Sequence, residues 1–254
     1  MFHTGIVLSG GGARGFSHLG VLQALNEADI FPDCISGTSS GSIAGAFYAD
    51  GFKPLEILSI LSKNKRFDYL SFALPKNGLL EMTGMKKVLE KYLGTKNFKD
   101  LKTSLYVAAT DLNRGEIKYF HQGNVVDAVI ASASIPVVFR PSVINGTYYV
   151  DGGVIDNFPI APLENKCKRI IGSHVNPVAY QESFTNLFAI AERTFNLGLD
   201  KDLFAKSRKI DLFIEPPALE KYNILNPDKA HEIYEIGYIA TKKVLSDHPE
   251  FLKS

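Results

Sequence analysis

Two strand-like runs, each ending in a turn of small residues that opens into a helix, fill the first 51 residues and restrict this chain to few folds. Gly5-Ile6-Val7-Leu8 is an apolar run bounded by glycines, which reads as a buried strand. The turn Ser9-Gly10-Gly11-Gly12-Ala13-Arg14-Gly15 follows. Over residues 13–28 the spacing becomes helical, with Leu19, Leu22, Leu25 and Ala28 on one face. Asp33-Cys34-Ile35-Ser36 is a second short strand, and residues 40–50 form a helix of small and apolar residues closed by Gly51 at its C-terminal cap. Successive strand–helix units lay their strands parallel and pack the helices on the sheet, so the pattern predicts an α/β fold.

The same reading predicts helices over 54–63 and 83–93, the second closed by Gly94. Between them, residues 67–80 are rich in aromatics and then in Pro75, Asn77 and Gly78. They are a candidate lid, although apolar loop residues more commonly just pack on a core. Residues 105–109 form a strand ending at Thr110-Asp111, which pairs with 117–120 as a hairpin across Asn113-Arg114-Gly115. A helix over 125–132 is halted before Pro136, because the residue preceding a proline is biased away from helical geometry. Further strands are expected at 147–150, 169–175 and 210–214, and helices at 186–199 and 227–246. No repeat or proline-rich linker offers a boundary, and 254 residues suit one domain over 1–254.

The chemistry concentrates at the turns. Gly37-Thr38-Ser39-Ser40-Gly41 satisfies G-x-S-x-G, in which the flanking glycines permit a strained strand-to-helix turn that presents Ser39 as a nucleophile. Gly10 to Gly15 also satisfies the dinucleotide fingerprint G-x-G-x-x-G. That reading requires an acidic residue at the end of the second strand, and here the strand ends in Ser36-Gly37-Thr38-Ser39. The alternative use of such a turn is an oxyanion hole, with Gly11 and Gly12 as the N–H donors and Gly10 and Ala13 supporting them. Arg14 has two readings, attraction of an anionic group or hydrogen bonding to a nearby loop.

The serine needs a base. Of His3, His18, His121, His174, His231 and His248, only His174, near the end of a strand, is placed for a triad; the others read as surface or helix residues. An α/β-hydrolase would spend several strands before its nucleophile, and position 39 is early for that layout. Asp151, delivered by the strand 147–150 and followed by Gly152-Gly153, is the rival; Asp-Gly is also a common hairpin turn. The residues alone leave the base open between His174 and Asp151.

Together these motifs resemble the patatin-like phospholipase family: the glycine turn at Gly10 to Gly15, the elbow Gly37 to Gly41, Ala131-Ser132-Ala133-Ser134-Ile135-Pro136, and Asp151-Gly152-Gly153 continued by Asp156-Asn157 and Pro159. The resemblance covers the first two thirds of the chain. It implies a three-layer α/β/α fold with a mainly parallel sheet and a Ser39–Asp151 dyad without histidine. It further implies oxyanion donors at Gly11 and Gly12, hydrolysis of lipid acyl esters, and no metal or other cofactor.

Bulk properties narrow the partners. With 28 basic and 27 acidic side chains the net charge is +1, so no strong field points to nucleic acid or an anionic membrane; any membrane contact is expected to be local, transient and apolar. Cys34 and Cys167 lack metal-ligand spacing. Without a run of about 18 apolar residues or a signal-like start, the expected location is cytoplasmic.

Overall fold

A computed structural model describes residues 1–63, 82–177, 180, 183, 190, 193–194, 197–198, 202–224 and 226–252. The candidate lid over 67–80 lies outside the described residues, as does most of the helix expected over 186–199. The described strands form one sheet: β1 (Phe2–Leu8), β2 (Cys34–Thr38), β3 (Ser104–Asp111), β4 (Glu116–Phe120), β5 (Ser142–Ile144), β6 (Thr147–Asp151), β7 (Cys167–Ser173) and β8 (Leu212–Ile214). Their order is β5-β6-β3-β2-β1-β7-β8, with β4 also on β3. The block β3-β2-β1-β7-β8 is parallel, as the strand–helix units require, whereas β4, β5 and β6 join antiparallel.

Alternation along the strands sorts side chains to the two faces. Ile6, Leu8, Ile35, Leu105, Val107 and Ile171 enter the larger core. That core is roofed by α1 (Phe16–Glu27), α2 (Ser40–Asp50), α3 (Pro54–Lys63), α4 (Thr83–Leu93), α5 (Val125–Ala133) and α7 (Ala230–Asp247). Their alternating neighbours Val7, Cys34 and Ile170 face a smaller core with Phe158, Ile160 and Leu163, covered by turns over 158–166 and by the short helix α6 (Leu203–Ser207). The three layers are therefore present with unequal outer layers. No described helix is long and apolar enough to cross a membrane.

Three local expectations need correction. The helix expected over 13–28 starts as a 3₁₀ turn, Gly12–Gly15, and becomes α-helical only at Phe16. The cause is the turn itself: Gly12 has φ +55°, and the Ala13 N–H donates to the Ile224 carbonyl at 2.7 Å. The C-terminal helix likewise opens with a 3₁₀ turn at Pro227–Lys229. β5 was not foreseen, although Asn145-Gly146 is a strong hairpin signal and both residues have positive φ. The cap at Gly51, with φ +102°, and the 116–120 hairpin are as expected.

Candidate active site

The site arises from a head-on meeting of two strands. β4 pairs continuously with Val107 to Asp111 along one edge of β3. The other edge is shared: β2 runs parallel beside it until Thr38 faces Ala108, and β6 runs antiparallel until Asp151 faces Ala109. The carboxyl ends of β2 and β6 therefore abut, and the residues that leave them, Ser39 and Asp151, meet. The Ser39 hydroxyl lies beside the Asp151 carboxylate, close enough to favour its charged form, and Asp151 Oδ1 accepts the Gly153 N–H at 2.8 Å. Asp-Gly here is no hairpin turn: Asp151 caps a 3₁₀ turn, Gly152–Val154, with its own carboxylate.

Both side chains are almost wholly buried, Ser39 6% exposed and Asp151 3%. Burial pushes the Asp151 carboxyl up to about 6, partly offset by Ser39 and the Gly153 N–H, which favour its charged form. Ser39 sits at φ 51°, ψ −121°, a conformation costing of order 1–3 kcal/mol for a residue with a side chain. The flanking glycines make the turn possible: a Cβ at Gly37 would lie 2.7 Å from the Gly41 backbone, and one at Gly41 would lie 2.2 Å from the Leu8 carbonyl.

The segment Ala131 to Pro136 ties both members to one support, a role its sequence did not disclose. The Ser39 N–H donates to Ser132 Oγ at 2.8 Å, and the Asp151 N–H donates to the Ser134 carbonyl at 2.9 Å. Two serines spaced two apart at the end of a helix were the available signal.

The glycine turn lies on the other side of Ser39, and its groups are nearly all committed. The Ser9 N–H donates to the Ser173 carbonyl, and the Ser9 hydroxyl accepts the Val175 N–H at 3.0 Å. The Gly10 N–H donates to the Asn157 carbonyl, and the Gly10 carbonyl accepts Asn176 Nδ2 at 2.6 Å. The N–H groups of Gly11 and Gly12 have no acceptor among the described residues. Arg14 donates to loop carbonyls, Nε to Tyr222 and Nη2 to Glu220.

His18 is a helix residue as expected, but fully buried. Its Nε2 lies 2.8 Å from the Ser9 carbonyl and its Nδ1 2.8 Å from Ser173 Oγ. Burial pulls its pKa down to about 4, so it is neutral at pH 7. Neutrality sets the tautomer: Nε2–H donates to the Ser9 carbonyl and Nδ1 accepts from the Ser173 hydroxyl. His174, the alternative base, lies two strands from Ser39, across β1. It is fully buried, with Nδ1 2.6 Å from Glu215 Oε1 and its ring stacked on Phe213. Asp156 completes the surroundings; its carboxylate accepts from Tyr119 and Lys206, and its carbonyl accepts from Thr38 Oγ1. Among the described residues no cluster of three or more His, Cys, Asp or Glu side chains could hold a metal ion.

The geometry agrees with what known proteins resemble this chain. Lysophospholipase NTE1 of Coccidioides immitis (strain RS) is 26% identical across 95% of this chain, and that of Kluyveromyces lactis 28% identical across 92%. The chain spans only 17% and 18% of those two relatives' lengths. Among solved structures, VipD from Legionella pneumophila superposes with a TM-score of 0.58 at 17% identity, covering 98% of this chain and 67% of VipD, a likeness of fold. The family model for patatin-like phospholipase matches residues 6–164, more than half of the sequence. The chain belongs to the patatin-like phospholipase family.

Proposed function

We propose that this chain is a serine hydrolase of lipid acyl esters working through a Ser39–Asp151 dyad. The observation that carries the reading is the meeting of Ser39, at its strained turn, with a buried carboxylate at the abutting ends of β2 and β6, with no histidine between them. Ser39 Oγ attacks the ester carbonyl carbon while its proton passes to Asp151. The oxygen that becomes negative is stabilised by the N–H groups of Gly11 and Gly12, which no acceptor among the described residues occupies. Collapse breaks the bond to the alcohol oxygen, which takes the proton from Asp151, and leaves an acyl-serine. Water, deprotonated by the same carboxylate, then releases the fatty acid.

Burial assists the base. A carboxylate near 4 is poorly matched to a serine hydroxyl, and raising it to about 6 brings it closer to the working pH. The remaining barrier falls to the oxyanion donors, each of which typically contributes about 10² to 10³ in rate. Lysophospholipids head the substrate panel because the similar NTE1 proteins carry that name.

The test combines labelling and turnover. A fluorophosphonate should attach covalently at Ser39, located by peptide mass spectrometry, and a panel of lysophospholipids, phospholipids and glycerides should release fatty acid. Ser39→Ala and Asp151→Asn should each lower release by more than about 10³-fold, as expected for members of a catalytic unit. Absence of label in the folded wild-type protein would overturn the reading. Cleavage of short soluble esters alone would remove the lipid and leave the hydrolase.

A further inference from the structure

The Gly11 N–H can reach a negative acyl oxygen only if the peptide that carries it faces the right way, and glycine on both sides leaves that peptide easy to turn over. One side chain holds it. Asn176, three residues past the end of β7, is 3% exposed, and its Nδ2 donates to the Gly10 carbonyl at 2.6 Å. The Gly10–Gly11 peptide is trans, so its C=O and N–H point to opposite sides. β1 runs between β7 and β2; Gly10 leaves β1, Asn176 leaves β7 and Ser39 leaves β2. A carbonyl directed to the β7 side therefore sends the Gly11 N–H to the β2 side, where Ser39 stands. That N–H has no acceptor among the described residues. The amide is itself pressed onto the turn: the Val175 N–H donates to Ser9 Oγ at 3.0 Å, and a Cβ on Gly11 would collide with Val175 and lie 2.9 Å from Asn176 Oδ1. Asn176 Oδ1 is buried and finds no donor among the described residues. An unmet buried acceptor costs about 1–3 kcal/mol, so the amide serves through its N–H group alone.

We propose that Asn176 is a positioning residue for the hydrolysis: by holding the Gly10 carbonyl on the β7 side, it keeps the Gly11 N–H aimed at the acyl oxygen that becomes negative when Ser39 attacks. The inference rests on the hydrolase reading and adds to it a residue that never touches the substrate. With the amide removed, the Gly10 carbonyl is free to swing to the serine side. An oxygen there repels the charge that the N–H would have stabilised. No bond to Asn176 changes order during turnover; its effect is on where the donor points.

The experiment uses the full chain, a soluble nitrophenyl ester, its thiono counterpart with C=S in place of C=O, and the fluorophosphonate. Sulfur accepts hydrogen bonds more weakly than oxygen, so the ratio of oxoester to thionoester turnover reads the oxyanion donors. Asn176→Ala empties the space beside the turn, and Asn176→Leu refills it without a donor. Both should lower kcat at least about tenfold, toward the ~10² of a lost oxyanion donor, with KM changed by less than about threefold. Both should also shrink the oxoester-to-thionoester ratio by a similar factor. A packing role would be repaired by leucine and would leave that ratio where it was. Folded variants with kcat within about threefold of wild type, or with kcat lowered and the ratio unchanged, would overturn the proposal. Should both variants fail to fold, a crystal structure of the wild-type protein phosphonylated at Ser39 decides. A Gly11 N–H bonded to the phosphonyl oxygen, with Asn176 Nδ2 on the Gly10 carbonyl, supports it; a Gly10 carbonyl turned toward Ser39 overturns it. A wild-type protein that neither hydrolyses the ester nor takes the label overturns the hydrolase reading itself, and this inference with it.

Discussion

Asp151→Asn is expected to stabilise the protein at neutral pH while removing its activity. The substitution keeps the local hydrogen bonds, since the asparagine oxygen can accept the Gly153 N–H and its NH₂ can donate to Ser39 Oγ. What it removes is a charge held in a buried place. The carboxyl rises from 3.8 to about 6 on folding, a window of about two pH units, and each unit corresponds to about 1.4 kcal/mol. A carboxyl raised in the folded state contributes stability fully below its unfolded value and loses it as pH climbs through the folded one. Wild-type Asp151 therefore destabilises the fold by about 3 kcal/mol above pH ~6 and by almost nothing below pH ~4. Urea denaturation of variant and wild type across pH ~4 to ~7.5 measures the difference. The advantage of the variant should grow by about 3 kcal/mol across that range, with every other titrating group, His18 included, cancelling between the two proteins. A difference that stays constant with pH would refute the burial argument and with it the case for Asp151 as a tuned base.

Three more expectations follow from the same geometry. In wild type, kcat/KM for a soluble ester should fall about tenfold per pH unit below pH ~6, as Asp151 takes up its proton; a profile flat down to pH ~4.5 contradicts a base of this strength. Ser132→Ala removes the acceptor for the Ser39 N–H and should cost about 1–2 kcal/mol of stability and roughly tenfold in kcat, both recovered by Ser132→Thr, as read by thermal melting and ester turnover. His18, depressed to about 4, contributes stability that is full above pH ~6.5 and lost as pH falls through about 4, a loss of about 3 kcal/mol. His18→Gln, which keeps a donor for the Ser9 carbonyl, should flatten that acid limb in pH-dependent denaturation.

Much of the fold was legible because its signals are local. Strand–turn–helix order over the first 51 residues dictated the parallel block, and Gly51 and the Asn113-Arg114-Gly115 turn ended their elements where expected. Boundaries slipped where a distant residue intervened: the Ile224 carbonyl takes the Ala13 N–H that a regular helix would have used. The reading of the other five histidines as surface or helix residues left the burial of His18 unseen, since its partners Ser9 and Ser173 converge only in the folded sheet.

The site divides the same way. Sequence determined which groups could carry chemistry, because a nucleophile elbow, a glycine turn and a strand-end aspartate each need particular residue types over a few positions. It left the base open between His174 and Asp151. Which of the two lies beside Ser39 belongs to the tertiary structure: β2 and β6 run toward each other along one edge of β3, bringing Ser39 to Asp151, while β1 stands between Ser39 and His174. Strand order is set by which edges pair across a hundred residues of chain, and no local pattern encodes that distance.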